Sequence, residues 1–144
     1  MKTVLITGSG KRLGAVMARH LCARGWTPIL HYHSSGDDAE KLAAELNTVA
    51  LQANLQDLDS LEGLISAAHD VTGKPLTALV NSASIFEHDR PDTVSEIAME
   101  KHFRTNTMAP VLLSRAFATQ ASTEDNPSIV NILDQKLNHL HPDH

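Results

Sequence analysis

At 144 residues the chain has room for one domain, and its 42% hydrophobic content is enough to bury a full core. A net charge of −5, 20% charged residues and no basic stripe argue against nucleic acid as a partner. The apolar runs fall far short of the roughly 20 residues of a membrane helix, the opening MKTVLITGSG reaches glycine too early for a signal peptide, and the single Cys22 rules out an internal disulfide and suits a reducing, cytoplasmic setting.

The predicted elements alternate. A strand at 3–7 leads through a glycine-rich turn into a helix beginning near Leu13, with Leu13, Val16, Met17, His20 and Leu21 at helical spacing and Gly25 as its stop. A second strand at 27–32 is followed by Ser35, Gly36 and Asp37 and a helix facing inward through Ala39, Leu42, Ala43 and Leu46. A third strand at 49–53 precedes a helix capped by Asp57, with Leu58, Leu61, Leu64, Ile65 and Ala68 on one face and Gly73 and Pro75 at its end. The fourth strand is 77–80. A loop with Pro91 and a long helical stretch at 94–118 follow, bent near Asn106 and Pro110. Pro127 introduces a fifth strand at 128–133. Five strands separated by four helical segments predict an α/β fold: a Rossmann-like, doubly wound parallel sheet with strand order 3-2-1-4-5.

The chemistry concentrates in Thr7-Gly8-Ser9-Gly10-Lys11-Arg12-Leu13-Gly14, between the first strand and the first helix. Gly8 permits a tight turn, Gly14 permits close packing of helix on sheet, and the N–H groups at the helix start can face a phosphate. Strand, turn and helix in this order point to the diphosphate of a dinucleotide. Arg12 stands where a middle glycine often sits and can reach a phosphate. The second strand ends His31-Tyr32-His33-Ser34-Ser35, without the carboxylate that would hold the ribose hydroxyls of NAD. Imidazoles, hydroxyls and a nearby arginine suit a 2′-phosphate, which favours NADP(H); the alternative is that these histidines are only solvent-facing strand-end residues.

TGSGKRLG (7–14), NSAS (81–84), Asn106 and SIVNILD (128–134) come in an order and at separations that resemble the short-chain dehydrogenase/reductase family along the whole chain. Within it, the K-R-L-G of the turn, the H-Y-H at 31–33, Phe86 after the fourth strand and Asp134 in place of the usual catalytic serine look most like the pteridine reductase group. The resemblance implies that Gly8, Arg12, Leu13 and Gly14 hold the diphosphate and that Lys11 beside them also belongs to the cofactor site. It gives the 2′-phosphate to Arg12, His33, Ser34 and Ser35, and the adenine to Asn54 and Leu55. Asn54 replaces an aspartate, and Asn81, Ser82 and Ala83 replace N-N-A on the cofactor side, with Asn81 steadying the central strand. Asn106 would tie a water into the proton path, Phe86 would stack on a flat substrate ring, and Asp134 would take the catalytic position. It also implies a homo-oligomer, dimer or tetramer, paired along the long helix, where Met108, Val111, Leu112 and Ala116 offer part of an apolar face that ordinary core packing explains equally well.

One part of the family pattern is missing. Its chemistry uses Tyr-x-x-x-Lys on the helix after the fifth strand, the tyrosine as general acid; the only tyrosine here is Tyr32. The expectation is therefore a single dinucleotide-binding domain over 1–144, truncated before that helix and lacking the C-terminal strands and helices of the full fold. It would be the cofactor-binding half of an NADPH-dependent reductase of a pterin, folate-like or other small carbonyl substrate, inactive alone. The alternative is a non-catalytic NADP-binding module. His139, His141 and His144 could be read as a metal site, but no cysteine or carboxylate framework supports one, and none is expected.

Overall fold

The computed structural model describes residues 2–88, 90–121 and 126–135. Five parallel strands form one sheet in the order β3-β2-β1-β4-β5. They are β1 (Lys2–Ile6), β2 (Trp26–Tyr32), β3 (Ala50–Gln52), β4 (Ala78–Asn81) and β5 (Ser128–Asn131). The predicted strand order holds, and so does the position of every element to within a few residues.

Alternation along β1 divides the core. Val4 and Ile6 pack with Leu30, Ala78 and Val80 against α1 (Arg12–Cys22) and α2 (Gly36–Leu46). Leu5 points the other way, with Ile29 and Leu79, toward α3 (Leu61–Thr72) and α5 (Ala109–Gln120), where Leu64, Ile65, Leu113 and Phe117 close the second layer. Pro28 is tolerated inside the sheet because β3 begins only opposite Leu30; the Thr48 hydroxyl caps the Pro28 carbonyl beyond the end of that strand.

Two local expectations change. On α1 the buried residues are Gly14, Ala15 and Ala18, whereas Leu13, Val16 and His20 are exposed. Small residues bring this helix close to the sheet, so of the expected stripe only Met17 and Leu21 pack, partly buried, against the core. Asp57 caps no helix with its side chain. A 3₁₀ turn at Leu58–Ser60 intervenes before α3, and the Asp57 carbonyl accepts the Ser60 hydroxyl at 2.9 Å. At its far end α3 stops as expected, on Gly73 in the left-handed conformation.

The long helical stretch is three pieces: α4 (Glu96–Phe103), a π turn at Arg104–Met108, and α5. The Ser95 hydroxyl accepts the Ala98 N–H at the start of α4. Asn106 lies in this π turn, and Pro110 sits at the start of α5, where no N–H is needed. Beyond it, β5 pairs only with β4 among the described residues, and Ile129, Val130, Ile132 and Leu133 are exposed. The histidines at 139, 141 and 144 lie outside the described residues.

Candidate cofactor-binding site

The carboxyl ends of β1, β2, β3 and β4 open into one cleft of about 590 Å³. One wall is the glycine turn with the start of α1, the opposite walls are residues 31–35, 54–56 and 82–86, and Thr105 and Ile132 complete the lining.

The turn is held by its neighbours. Thr7 donates its N–H to the Val80 carbonyl at 2.9 Å, and its hydroxyl oxygen accepts the N–H groups of Ser82 and Ala83, each at 3.0 Å. These bonds lock the turn to the chain leaving β4. Ser9 joins it to β2: its hydroxyl donates to the Ile6 carbonyl at 2.8 Å and accepts the His31 N–H at 3.0 Å. The close approach is why glycine is required. A Cβ on Gly8, already at φ +66°, would lie 2.8 Å from Cα of Ala83, and one on Gly14 would lie 2.5 Å from the Gly8 carbonyl oxygen.

Arg12 has φ +53°, the left-handed region natural to the glycine it replaces. For a side-chain-bearing residue that costs about 1 kcal/mol. The first turn of α1 carries no acid, and Ala15 is the residue whose N–H reaches back to the Lys11 carbonyl. The N–H groups of Arg12, Leu13 and Gly14 precede it, at the positive end of the helix where donors await an anion.

His31 is the residue whose role the sequence misled about. It is 1% exposed, and its ring is occupied at both nitrogens. Nδ1 accepts the Gly8 N–H at 3.1 Å, and the Nε2–H donates to the Ala53 carbonyl at 3.2 Å. This fixes a neutral tautomer, and burial pushes the pKa down to about 4. A neutral ring with both nitrogens engaged is a strut between β1, β2 and β3, not a cation for phosphate. It also consumes the Gly8 N–H. His33, Ser34 and Ser35 do face the cleft. Its position in the apolar run 28–31 was the available signal, because the interior of a buried strand leaves no side chain in water.

The remaining expected residues separate into two groups. Gly8, Lys11, Arg12, Leu13, Gly14, Asn54, Leu55, Ser82, Ala83 and Phe86 all line the cleft. Leu55 is at the same time buried in the core, and Phe86 is 72% exposed on the wall. Lys11 is ion-paired to Asp38 at 2.8 Å. The Asn54 amide oxygen accepts the Gln56 N–H at 3.1 Å, a local turn that shapes the wall. Asn81, Asn106 and Asp134 are not among the lining residues. Asn81 is buried and donates to Asn131 Oδ1 at 2.8 Å and to the Ser114 hydroxyl at 3.3 Å, which ties β4 to β5 and α5. Through these bonds Asn81 braces the carboxyl end of β4. Asn106 has its amide spent on a peptide: it accepts the Ile85 N–H and donates to the Ile85 carbonyl, both at 2.9 Å. Asp134 lies exposed, three residues beyond β5.

The sequence also gave no sign of what holds Phe86. His102 Nε2 accepts the Glu87 N–H at 3.2 Å while Nδ1–H donates to the Ala98 carbonyl at 2.8 Å, and Lys101 pairs with the Glu87 carboxylate. With the Asn106–Ile85 pair, the backbone is fastened to the α4 region on both sides of Phe86. On the long helix, Val111 is exposed as an interface would need, but Leu112 and Ala116 pack partly against the core. The large apolar residues exposed there are Ile97, Met99, Phe103 and Val111.

Comparison with known proteins agrees with this geometry. The model of the short chain dehydrogenase family matches residues 2–135. Pteridine reductase 1 of Leishmania tarentolae is 32% identical, over 90% of this chain and 60% of that protein. An NADPH-dependent aldehyde reductase-like chloroplastic protein of Arabidopsis thaliana is 25% identical, over 98% of this chain and 58% of that protein. Among solved structures, FolM alternative dihydrofolate reductase 1 of Brucella suis, crystallised with NADP, superposes with a TM-score of 0.91 at 29% identity, covering 98% of this chain and 60% of that one. The chain spans about 60% of the length of these relatives. From the matched model, the sheet and the cleft together, this chain belongs to the short-chain dehydrogenase family.

Proposed function

We propose that the cleft binds NADP(H) and that this chain is the cofactor-holding domain of an NADPH-dependent reductase. The observation that carries the reading is the pairing of a glycine turn with an acid-free strand end across one cleft. The crowding at Gly8 and Gly14 brings bare backbone to the cleft wall, and His33, Ser34 and Ser35 stand opposite with no carboxylate among them. In this reading Gly8, Arg12, Leu13 and Gly14 hold the diphosphate, with Lys11 at the rim. Arg12, His33, Ser34 and Ser35 take the 2′-phosphate, and Asn54 and Leu55 border the adenine. Ser82 and Ala83 follow the cofactor toward the nicotinamide, which supplies a hydride when bound.

Pterins or folates lead as the substrate class, with other small carbonyl compounds second. Support comes from Phe86 on the cleft wall, a flat surface for a flat ring, and from the pteridine and dihydrofolate reductases among the relatives. Asp134 keeps the catalytic position assigned by resemblance, and Asn106 serves by fixing the Ile85 backbone. The reading includes a homo-oligomer joined along the α4–α5 face.

Fluorescence titration with NADPH and NADH tests the cofactor. NADPH is expected to bind about tenfold tighter or more, the worth of one charge-assisted phosphate contact. Equal affinities would overturn the assignment. Incubation of the 144-residue chain with NADPH and a pterin is expected to show no steady NADPH loss.

A further inference from the structure

Two cations border the proposed 2′-phosphate site, and the structure treats them differently. Arg12 forms no ion pair among the described residues, whereas Lys11 Nζ rests 2.8 Å from the Asp38 carboxylate. Asp38 belongs to the first turn of α2, three residues after Ser35, whose hydroxyl packs where a Cβ on Gly10 would stand. The ion pair therefore spans the rim of the cleft at its 2′-phosphate end, between the glycine turn and the helix that follows β2. Both side chains are about half exposed, so the pair is open to exchange. A phosphate entering here meets a lysine already neutralised and a carboxylate beside it.

We propose that Asp38 tunes cofactor selectivity by masking Lys11, so that the 2′-phosphate must displace a carboxylate to gain its second cation. This rests on the NADP(H) reading of the cleft. Asp38 is then a specificity-determining residue that acts against the phosphorylated cofactor and leaves the unphosphorylated one nearly indifferent. Neighbouring Asp37 still satisfies the positive end of α2, so the helix does not depend on Asp38.

The test is titration of the 144-residue chain with NADPH and NADH at low salt, using Asp38→Asn, Lys11→Met and the double variant. D38N is expected to tighten NADPH by about fivefold, an effect that fades as salt screens the rim charges, and to change NADH by less than about twofold. In the K11M background the D38N gain should vanish, because the masked partner is gone. Weaker or unchanged NADPH binding by D38N, equal tightening of both cofactors, or a full gain without Lys11 would each overturn the proposal. Equal binding of NADPH and NADH by the unaltered chain would instead overturn the underlying reading of the cleft, and the proposal with it.

Discussion

His31 Nδ1 accepts the backbone N–H of Gly8 at 3.1 Å, so a buried imidazole holds the turn at the cofactor cleft. The bond exists only while the ring is neutral. With the pKa near 4 in the fold and about 6.5 in an unfolded chain, the unfolded state binds the proton more readily. Stability from this group is complete above pH 6.5 and is lost as pH falls through 6.5 toward 4. The loss is about 1.4 kcal/mol per pH unit, some 3 kcal/mol in all. Urea unfolding at pH 7.5, 6 and 5 should show this slope. His31→Gln, which cannot take up the proton, should flatten it between pH 6.5 and 5; an unchanged slope would remove His31 as the cause.

Two glycine-to-alanine changes should have opposite signs. Gly14→Ala places a methyl group 2.5 Å from the Gly8 carbonyl and should cost about 2–3 kcal/mol by forcing α1 off the sheet, with loss of NADPH binding. Gly63, inside α3, has nothing within 4 Å of its virtual Cβ, so Gly63→Ala should stabilise by about 0.5–1 kcal/mol. Thermal unfolding of both variants reads this directly.

Arg12 separates stability from binding. Arg12→Gly relieves the left-handed backbone and should raise stability by about 1 kcal/mol. The same change removes a cation from the cleft and should weaken NADPH more than NADH. If both cofactors lost equally, Arg12 would be serving the diphosphate alone.

Phe86 should be only as well placed as its two fastenings. Asn106→Ala strips both partners from the Ile85 peptide, and His102→Leu strips the acceptor from the Glu87 N–H. Hydrogen exchange across 84–88 should quicken in both variants while β1 and β4 keep their protection. His102→Gln offers an acceptor and a donor at similar reach and should restore part of the protection.

How much of this was legible beforehand differs by residue. Glycine spacing marked the turn because few other sequences allow backbone to approach backbone at Gly8 and Gly14. Asn106 and Pro110 marked where the long helix is interrupted, by the π turn and the start of α5. The roles of His31 and Asn106 were not legible, since a polar residue at a strand end or in a helix reads the same whether it faces a ligand or a peptide. The role of Asp38 was not legible either, since an acid in the first turn of a helix reads as a partner of the helix end, whether or not it also reaches a lysine from the turn after β1.

The sequence by itself determined the sheet order and the position of the cleft. Alternating apolar strands and helix-period segments leave one right-handed winding, and the glycines fix which end of it is open. Only the tertiary structure decided which polar groups remain available at that end. Availability depends on partners brought from distant positions: Gly8 and Ala53 for His31, Ile85 for Asn106, Asp38 for Lys11. Hydrogen bonding is settled by distances of a few ångströms, and residue order does not contain them.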